Sequence, residues 1–164
     1  RRVLMTKERA NGCTALLTDL ILLVDFLERG RTINGERYQE TLTNLRRAIQ
    51  NRRRGKLSKG VLLLHDNARP HTARATANLI ESFGWFCLPH PPYSPDLAPS
   101  DYHLFPDLKK FLGGKRFETD EELKATVLGF FHSLDIEFFE NGIKKLILRS
   151  EKCIQIQGDY VEKR

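Results

Sequence analysis

The sequence predicts a mixed α/β domain in which a sheet is flanked by helices gathered toward the C-terminal half. Three patterns predict it. Apolar runs of strand length stand at 20–27, 60–65 and 85–88. The second and third enclose a stretch of helical period, which makes a βαβ unit with a right-handed crossover. Beyond residue 100 the apolar residues recur at helical spacing. With 164 residues the chain fits one domain, and a chain of that size buries about two-thirds of the surface it exposes when unfolded.

"RVLMT" at 2–6 and "LILLVDFL" at 20–27 are the first strand candidates, joined as a loose hairpin by polar, glycine-containing sequence. "NGERYQETLTNLRRAIQN" spaces Tyr38, Leu42, Leu45 and Ile49 by four, three and four residues behind Asn34 as N-cap, so a helix runs from 35 to about 51. "GVLLLH" at 60–65 is apolar without alternation and reads as a fully buried strand. "HTARATANLIESFG" aligns Ala73, Ala77, Ile80 and Phe83 on one helical stripe and stops at Gly84. "WFCL" at 85–88 is a second buried strand, with Trp85, Phe86 and Cys87 in the core.

All seven prolines lie between Pro70 and Pro106, five of them in "PHPPYSPDLAP" at 89–99. Fixed φ angles make that stretch a rigid, extended connector, shaped by Tyr93 and Tyr102. Next, "SDYHLFPDLKKFLGG" puts Leu104, Leu108, Phe111 and Leu112 on one helix face, with a kink or restart at Pro106 and a stop at Gly113 or Gly114. "TDEE" at 119–122 is a capping box opening a helix that turns Leu123, Val127, Phe130 and Phe131 to one side. A last helix, about 136–149, packs Phe139, Ile143 and Leu146, with Ile147 beside them.

The formal charge of +6 points to an anionic partner, nucleic acid first. Its densest source is the stretch from Arg46 to Lys59, where Arg46, Arg47, Arg52, Arg53, Arg54, Lys56 and Lys59 occur without one acidic residue. Two readings stay open for it: a solvated helix end that suits the macrodipole, or a phosphate-contacting patch. Cys13, Cys87 and Cys153 are odd in number and widely spaced, which argues against a disulfide framework or zinc site and for a reducing, intracellular setting. The most apolar segment, 16–27, is interrupted by Asp19 and Asp25 and falls short of the roughly 20 residues of a membrane span, so neither a membrane partner nor a signal peptide is expected.

In open α/β sheets functional groups collect at the carboxyl ends of strands. Asp66 stands there, directly after "VLLLH", within "LLLHDNARPHT". Asp101 opens the helix that the proline-rich connector delivers, and the 34 residues between them hold one helix, one strand and the rigid loop. That spacing permits a shared metal site. Around Asp66, Asn67 and Arg69 either organise the turn or touch a DNA phosphate, and His65 and His71 suit hydrogen-bonding and helix-start roles, with phosphate contact by His71 as the alternative. Asp96 and Asp107, near Asp101 in the chain, are read as carboxylates without a functional role.

"HDNARPHT", followed by "YSPDLAPSDYHLF", resembles the catalytic domain of mariner-type DNA transposases, as do "FLERGRTINGERY", "KKFLGGKRF" and "KCIQIQGDYVEK", so the similarity covers roughly 20–163. The resemblance implies an RNase H-like (retroviral-integrase-like) fold and a triad of aspartates binding two Mg²⁺ (or Mn²⁺) ions. On that pattern Asp66 is the second acidic member and Asp101 the third, both catalytic and metal-binding. The family also implies DNA as partner, both terminal inverted repeats and target, with homodimerisation, a nuclear location, no small-molecule cofactor, and cut-and-paste strand cleavage and transfer as the reaction.

The match fails at the front. The family's first aspartate belongs to a "GDE"-like motif on the first strand of the fold, and no such motif occurs; the chain starts at Arg1, and 7–19 fit the family poorly. The resemblance therefore implies an N-terminally truncated catalytic domain without its helix-turn-helix region, lacking the first strand of its sheet and inactive alone. A central strand missing from such a sheet would leave backbone groups unpaired. Glu8, Asp19 and Asp25 are the acidic residues upstream, and none is read as a substitute, since "LLVDFL", which holds Asp25, resembles an ordinary strand of the family. The rival expectation is a non-catalytic DNA-binding or protein-interaction module derived from a transposase.

Overall fold

The computed structural model describes residues 2–9, 12–17, 20–27, 30–52 and 60–162, with side chains described at 22–27, 30–51 and 60–162. The chain divides into two compact units, Arg1–Pro92 and Tyr93–Arg164, and the boundary falls inside the proline-rich connector.

The first unit is built on a sheet of five strands in the order β3-β2-β1-β4-β5. These are β1 (Arg2–Arg9), β2 (Gly12–Leu17), β3 (Leu20–Phe26), β4 (Val61–Leu64) and β5 (Trp85–Cys87). β1, β2 and β3 form an antiparallel meander, with Met5 opposite Leu16 and Ala15 opposite Leu23. β4 runs parallel to β1, with Met5 level with Leu64, and β5 runs parallel to β4.

The strand expected to be missing is therefore present. β1 is central and pairs on both sides, so the predicted gap of unpaired backbone groups does not arise. A strand, β2, also occupies the stretch taken from sequence as a polar connection. Its small residues carry little strand signal of their own, and pairing with a neighbour on each side decides its conformation.

Helix α1 (Gly35–Arg52) covers the sheet and follows the predicted stripe closely. Tyr38, Leu42 and Leu45 are 0% exposed and Ile49 1%, and they join Leu22, Val61, Leu63, Ile80 and Trp85 in one core. Burying each such aliphatic chain stabilises the fold by about 1.5–3 kcal/mol. Asn34 caps the helix as expected, its Oδ1 accepting from Arg37 N at 2.9 Å.

The helix predicted between β4 and β5 is in fact two: α2 (Arg69–Thr72) and α3 (Arg74–Ser82), separated by Ala73 at φ −58°, ψ 138°. The break turns Thr76 inward in place of Ala77, and Thr76 Oγ1 donates to Pro70 O at 2.8 Å, so the buried hydroxyl is satisfied. Gly84, at φ +67°, closes α3 as the sequence required, its N–H donating to Glu81 O at 2.8 Å. On β5 only Trp85 is buried. Phe86, 56% exposed, and Cys87 face solvent because β5 is an edge strand, which corrects the fully buried strand read from "WFCL".

In the second unit a 3₁₀ turn (Pro95–Leu97) leads to a π-turn (Ser100–Leu104) and then to α4 (Phe105–Leu112), with Pro106 in the first turn of α4. Pro106 thus marks a restart, since its missing N–H costs nothing there. Helix α5 (Asp120–Ser133) is capped by Thr119, whose Oγ1 accepts from Glu122 N at 3.1 Å, while Glu122 Oε2 reaches back to Glu118 N at 2.9 Å. Helix α6 runs from Ile136 to Gln155, beyond the predicted end near 149, and Ile147 on it is 61% exposed. Among the described residues, no helix is long and apolar enough to cross a membrane.

Candidate functional site

β4 is short, apolar and flanked by a strand on each side, and it ends at Leu64, two residues before Asp66. Beyond that end the chain turns sharply. Asp66 Oδ1 accepts from Ala68 N at 3.0 Å and lies 2.7 Å from His71 Nδ1, so the carboxylate folds back over its own turn while its side chain stays 36% exposed. Asn67 Nδ2 donates to His90 O at 2.6 Å, tying this loop to the one after β5. Asn67 thus organises the turn, and both it and Arg69 face solvent.

Beneath the turn lies an aromatic cluster. The Tyr38 ring is 4.0 Å from His71, the His65 ring 5.1 Å from His71, and Tyr38 Oη is 2.9 Å from His65 Nδ1. Burial, helped by the neighbouring His71 and His90 and opposed by Asp66, pushes the His65 pKa down to about 4, so its ring is neutral near pH 7. His71 is 3% exposed, which sets it apart from the solvent-facing phosphate candidates with which the sequence grouped it. Tyr38 was legible only as a core residue. The signal missed was its hydroxyl, a polar tip on a fully buried stripe.

In the second unit Asp101 sits on the π-turn, a rare local geometry that recurs at functional sites. Asp101 N and Tyr102 N both donate to Ala98 O, at 2.8 and 3.1 Å. The two residues after Asp101 fasten the turn to α6: Tyr102 Oη donates to Gly142 O at 2.7 Å, and His103 Nε2 donates to Phe138 O at 2.8 Å with its ring 4.2 Å from that of Phe138. Burial raises the Tyr102 pKa, against the opposing Arg149 guanidinium 4.2 Å from the ring.

Other carboxylates have structural partners. Asp25 receives both 2.7 and 2.8 Å bonds from Arg37 Nη2 and a third from Thr41 Oγ1 at 3.0 Å, which joins β3 to α1 and engages both oxygens. Asp96 is 6% exposed; its Oδ2 accepts from Val161 N at 2.9 Å and its carbonyl accepts from Arg149 Nη1 at 3.1 Å. Asp107 pairs with Lys110 at 3.1 Å. Among the described residues, no group of three or more His, Cys, Asp or Glu could hold a metal ion.

Of the basic candidates, Arg46 is half-buried with its guanidinium 4.8 Å from the centre of the Phe83 ring, and Arg47 is exposed. Only the backbone of Arg52 is described, and Arg53, Arg54, Lys56 and Lys59 lie outside the described residues. Each unit carries a carboxylate of the hardness that a divalent cation prefers: Asp66 in the first, with Oδ1 held by N–H donors, and Asp101 in the second, on a fixed turn. β1 contains one acidic residue, Glu8, and no aspartate.

A mixed sheet flanked by helices, with a carboxylate just past the end of a central parallel strand, is the architecture of RNase H-like catalytic domains. The family described as Transposase (partial DDE domain) matches residues 18–59. Mariner Mos1 transposase of Drosophila mauritiana is 45% identical over 144 residues, which cover 87% of this chain and 42% of that protein. The structure of the Mos1 transposase catalytic domain with raltegravir and Mg aligns at TM-score 0.92 and 38% identity, covering 97% of this chain and 85% of that one. The Mos1 transposase paired-end complex with left transposon end aligns at 0.87 and 40% identity, covering 95% and 48%. The chain belongs to the mariner-type transposases, by their catalytic domain. It spans about two-fifths of the length of the Drosophila mauritiana relative.

Proposed function

We propose that this chain is the catalytic portion of a cut-and-paste DNA transposase, shaped for metal-dependent strand cleavage and strand transfer at terminal inverted repeats. The observation that carries the proposal is Asp66, set just past β4 with Oδ1 held by Ala68 N and His71 Nδ1. Asp66 and Asp101 are the residues proposed to hold Mg²⁺ or Mn²⁺. A divalent ion bound by such carboxylates activates an attacking oxygen and stabilises a leaving one. The chain's own contribution is orientation: the Ala68 and His71 bonds fix one carboxylate, and the Tyr102 and His103 anchors fix the turn that bears the other.

The proposed substrate is DNA carrying the element's terminal repeats, then target DNA, with a second copy as partner and a nuclear location. Arg47 and Arg69 are solvent-facing and available to phosphates. The aspartate-free β1 favours a further clause, that the isolated chain binds metal and DNA without cutting.

Nicking of supercoiled DNA bearing terminal repeats, with Mg²⁺ or Mn²⁺, tests this beside Mn²⁺ binding. The expected result is Mn²⁺ binding lost in Asp66→Asn and no cleavage by the isolated chain. Cleavage abolished by Asp66→Asn would keep the catalytic reading and remove the inactivity clause. Mn²⁺ binding indifferent to Asp66 would overturn the site.

A further inference from the structure

We infer that His71 is a positioning residue for Asp66, holding through its Nδ1–H the rotamer in which that carboxylate meets a cation. The inference rests on the reading of Asp66 as a metal ligand. His71 Nδ1 lies 2.7 Å from Asp66 Oδ1 and 3.1 Å from Asp66 O. Both of those atoms are acceptors, so the nitrogen between them carries a proton, which assigns the ring's tautomer from its surroundings. Ala68 N donates to the same Oδ1 at 3.0 Å, so two N–H groups converge on one oxygen and fix the carboxylate's plane.

The ring has little freedom to leave that geometry. It is 3% exposed, with Tyr38 at 4.0 Å and His65 at 5.1 Å between centroids, and Tyr38 itself is 0% exposed on α1. Its backbone is fixed as well: His71 N donates to Ala68 O at 2.9 Å, and Thr76 Oγ1 holds Pro70 O one residue earlier. A buried imidazole donating to a carboxylate is the kind of outer partner whose loss weakens metal binding by about 10- to 100-fold while leaving the ligand in place.

The test uses the full chain, Mn²⁺ alone as probe, and two variants that separate hydrogen bonding from packing. His71→Phe keeps an aromatic ring but loses the donor. His71→Asn keeps a donor near the place of Nδ1 but loses the ring. Positioning predicts that Mn²⁺ affinity falls about 10-fold or more in His71→Phe and stays within about 3-fold in His71→Asn, even though His71→Asn has the lower Tm. A purely structural histidine predicts the reverse order, affinity following Tm, and that result overturns the inference. Should either variant fail to fold, ¹⁵N NMR of the native chain decides: a protonated Nδ1 on His71 supports it and an unprotonated one defeats it. Asp66→Asn keeps the two layers apart. Undiminished Mn²⁺ binding there refutes Asp66 as a ligand, whereas loss in Asp66→Asn with none in His71→Phe refutes only the role of His71.

Discussion

Gly142 and His103 approach so closely that a Cβ on residue 142 would lie 2.7 Å from His103 Cδ2. No ordinary contact is that short, so the glycine is what lets α6 accept the π-turn that carries Asp101. Glycine inside a helix costs about 1 kcal/mol relative to alanine, and here the close approach offsets it.

Gly142→Ala is therefore expected to destabilise the chain by about 1–3 kcal/mol despite its better helix propensity, because the imidazole must leave its bond to Phe138 O. Urea unfolding of Gly142→Ala, His103→Ala and the double variant measures it. The double variant should recover most of the loss attributable to the clash; strict additivity would mean the two residues do not interfere.

Asp25 to Asn should lower stability by about 1–2 kcal/mol, since Arg37 and Thr41 lose a charged acceptor, and should leave Mn²⁺ affinity unchanged. Calorimetric titration beside denaturant unfolding reads both quantities. A fall in Mn²⁺ affinity would make Asp25 a ligand after all.

Asp96 and Asp101 make a sharper pair, five residues apart. Asp96→Asn should cost about 1–2 kcal/mol of stability through the Val161 contact and keep Mn²⁺ affinity, while Asp101→Asn should do the opposite. Equal losses of affinity at both positions would undo the assignment of Asp101.

His65 gives the metal-free chain a stability loss in mild acid. Its pKa falls from 6.5 in the unfolded chain to about 4 when folded, so between those values the unfolded state binds more protons. The contribution is complete above about pH 6.5 and is lost as pH falls toward 4, by at most about 3 kcal/mol. An NMR titration of the His65 ring should show a midpoint near 4; one near 6.5 would mean that the ring is hydrated.

The elements legible in the sequence were those whose signal is local. The stripe from Tyr38 to Ile49, the caps at Asn34 and Thr119, and the stop at Gly84 are each set by residues within a turn or two, and the structure has them where the pattern put them. What escaped depends on distant neighbours. "GCTALL" becomes β2 because strands lie on both sides of it, and Phe86 is exposed on β5, which among the described residues is the edge of the sheet. Ala73 breaks a helix with neither glycine nor proline to announce it, where Thr76 ties back to Pro70 O. The place of Asp66 just past β4 and of Asp101 at the start of a helical run could be read from the pattern, but the burial of His71 and Asp96 could not, since a polar side chain gives no sign in sequence of the partner that satisfies it when buried.

The central position of β1 also governs how the sheet can assemble. Arg9 pairs with Gly12 almost next to it in the chain, whereas Met5 must find Leu64 with the whole of α1 between them. Hairpins of the first kind close in about 1–10 μs, while the parallel pairing has to wait for a far longer loop to close before any contact rewards it. β1 belongs to both events, so the meander can form early, but the ladder that delivers β4 and Asp66 to the sheet forms late. Asp66 therefore reaches its place past the end of β4 only after that long-range encounter has been made.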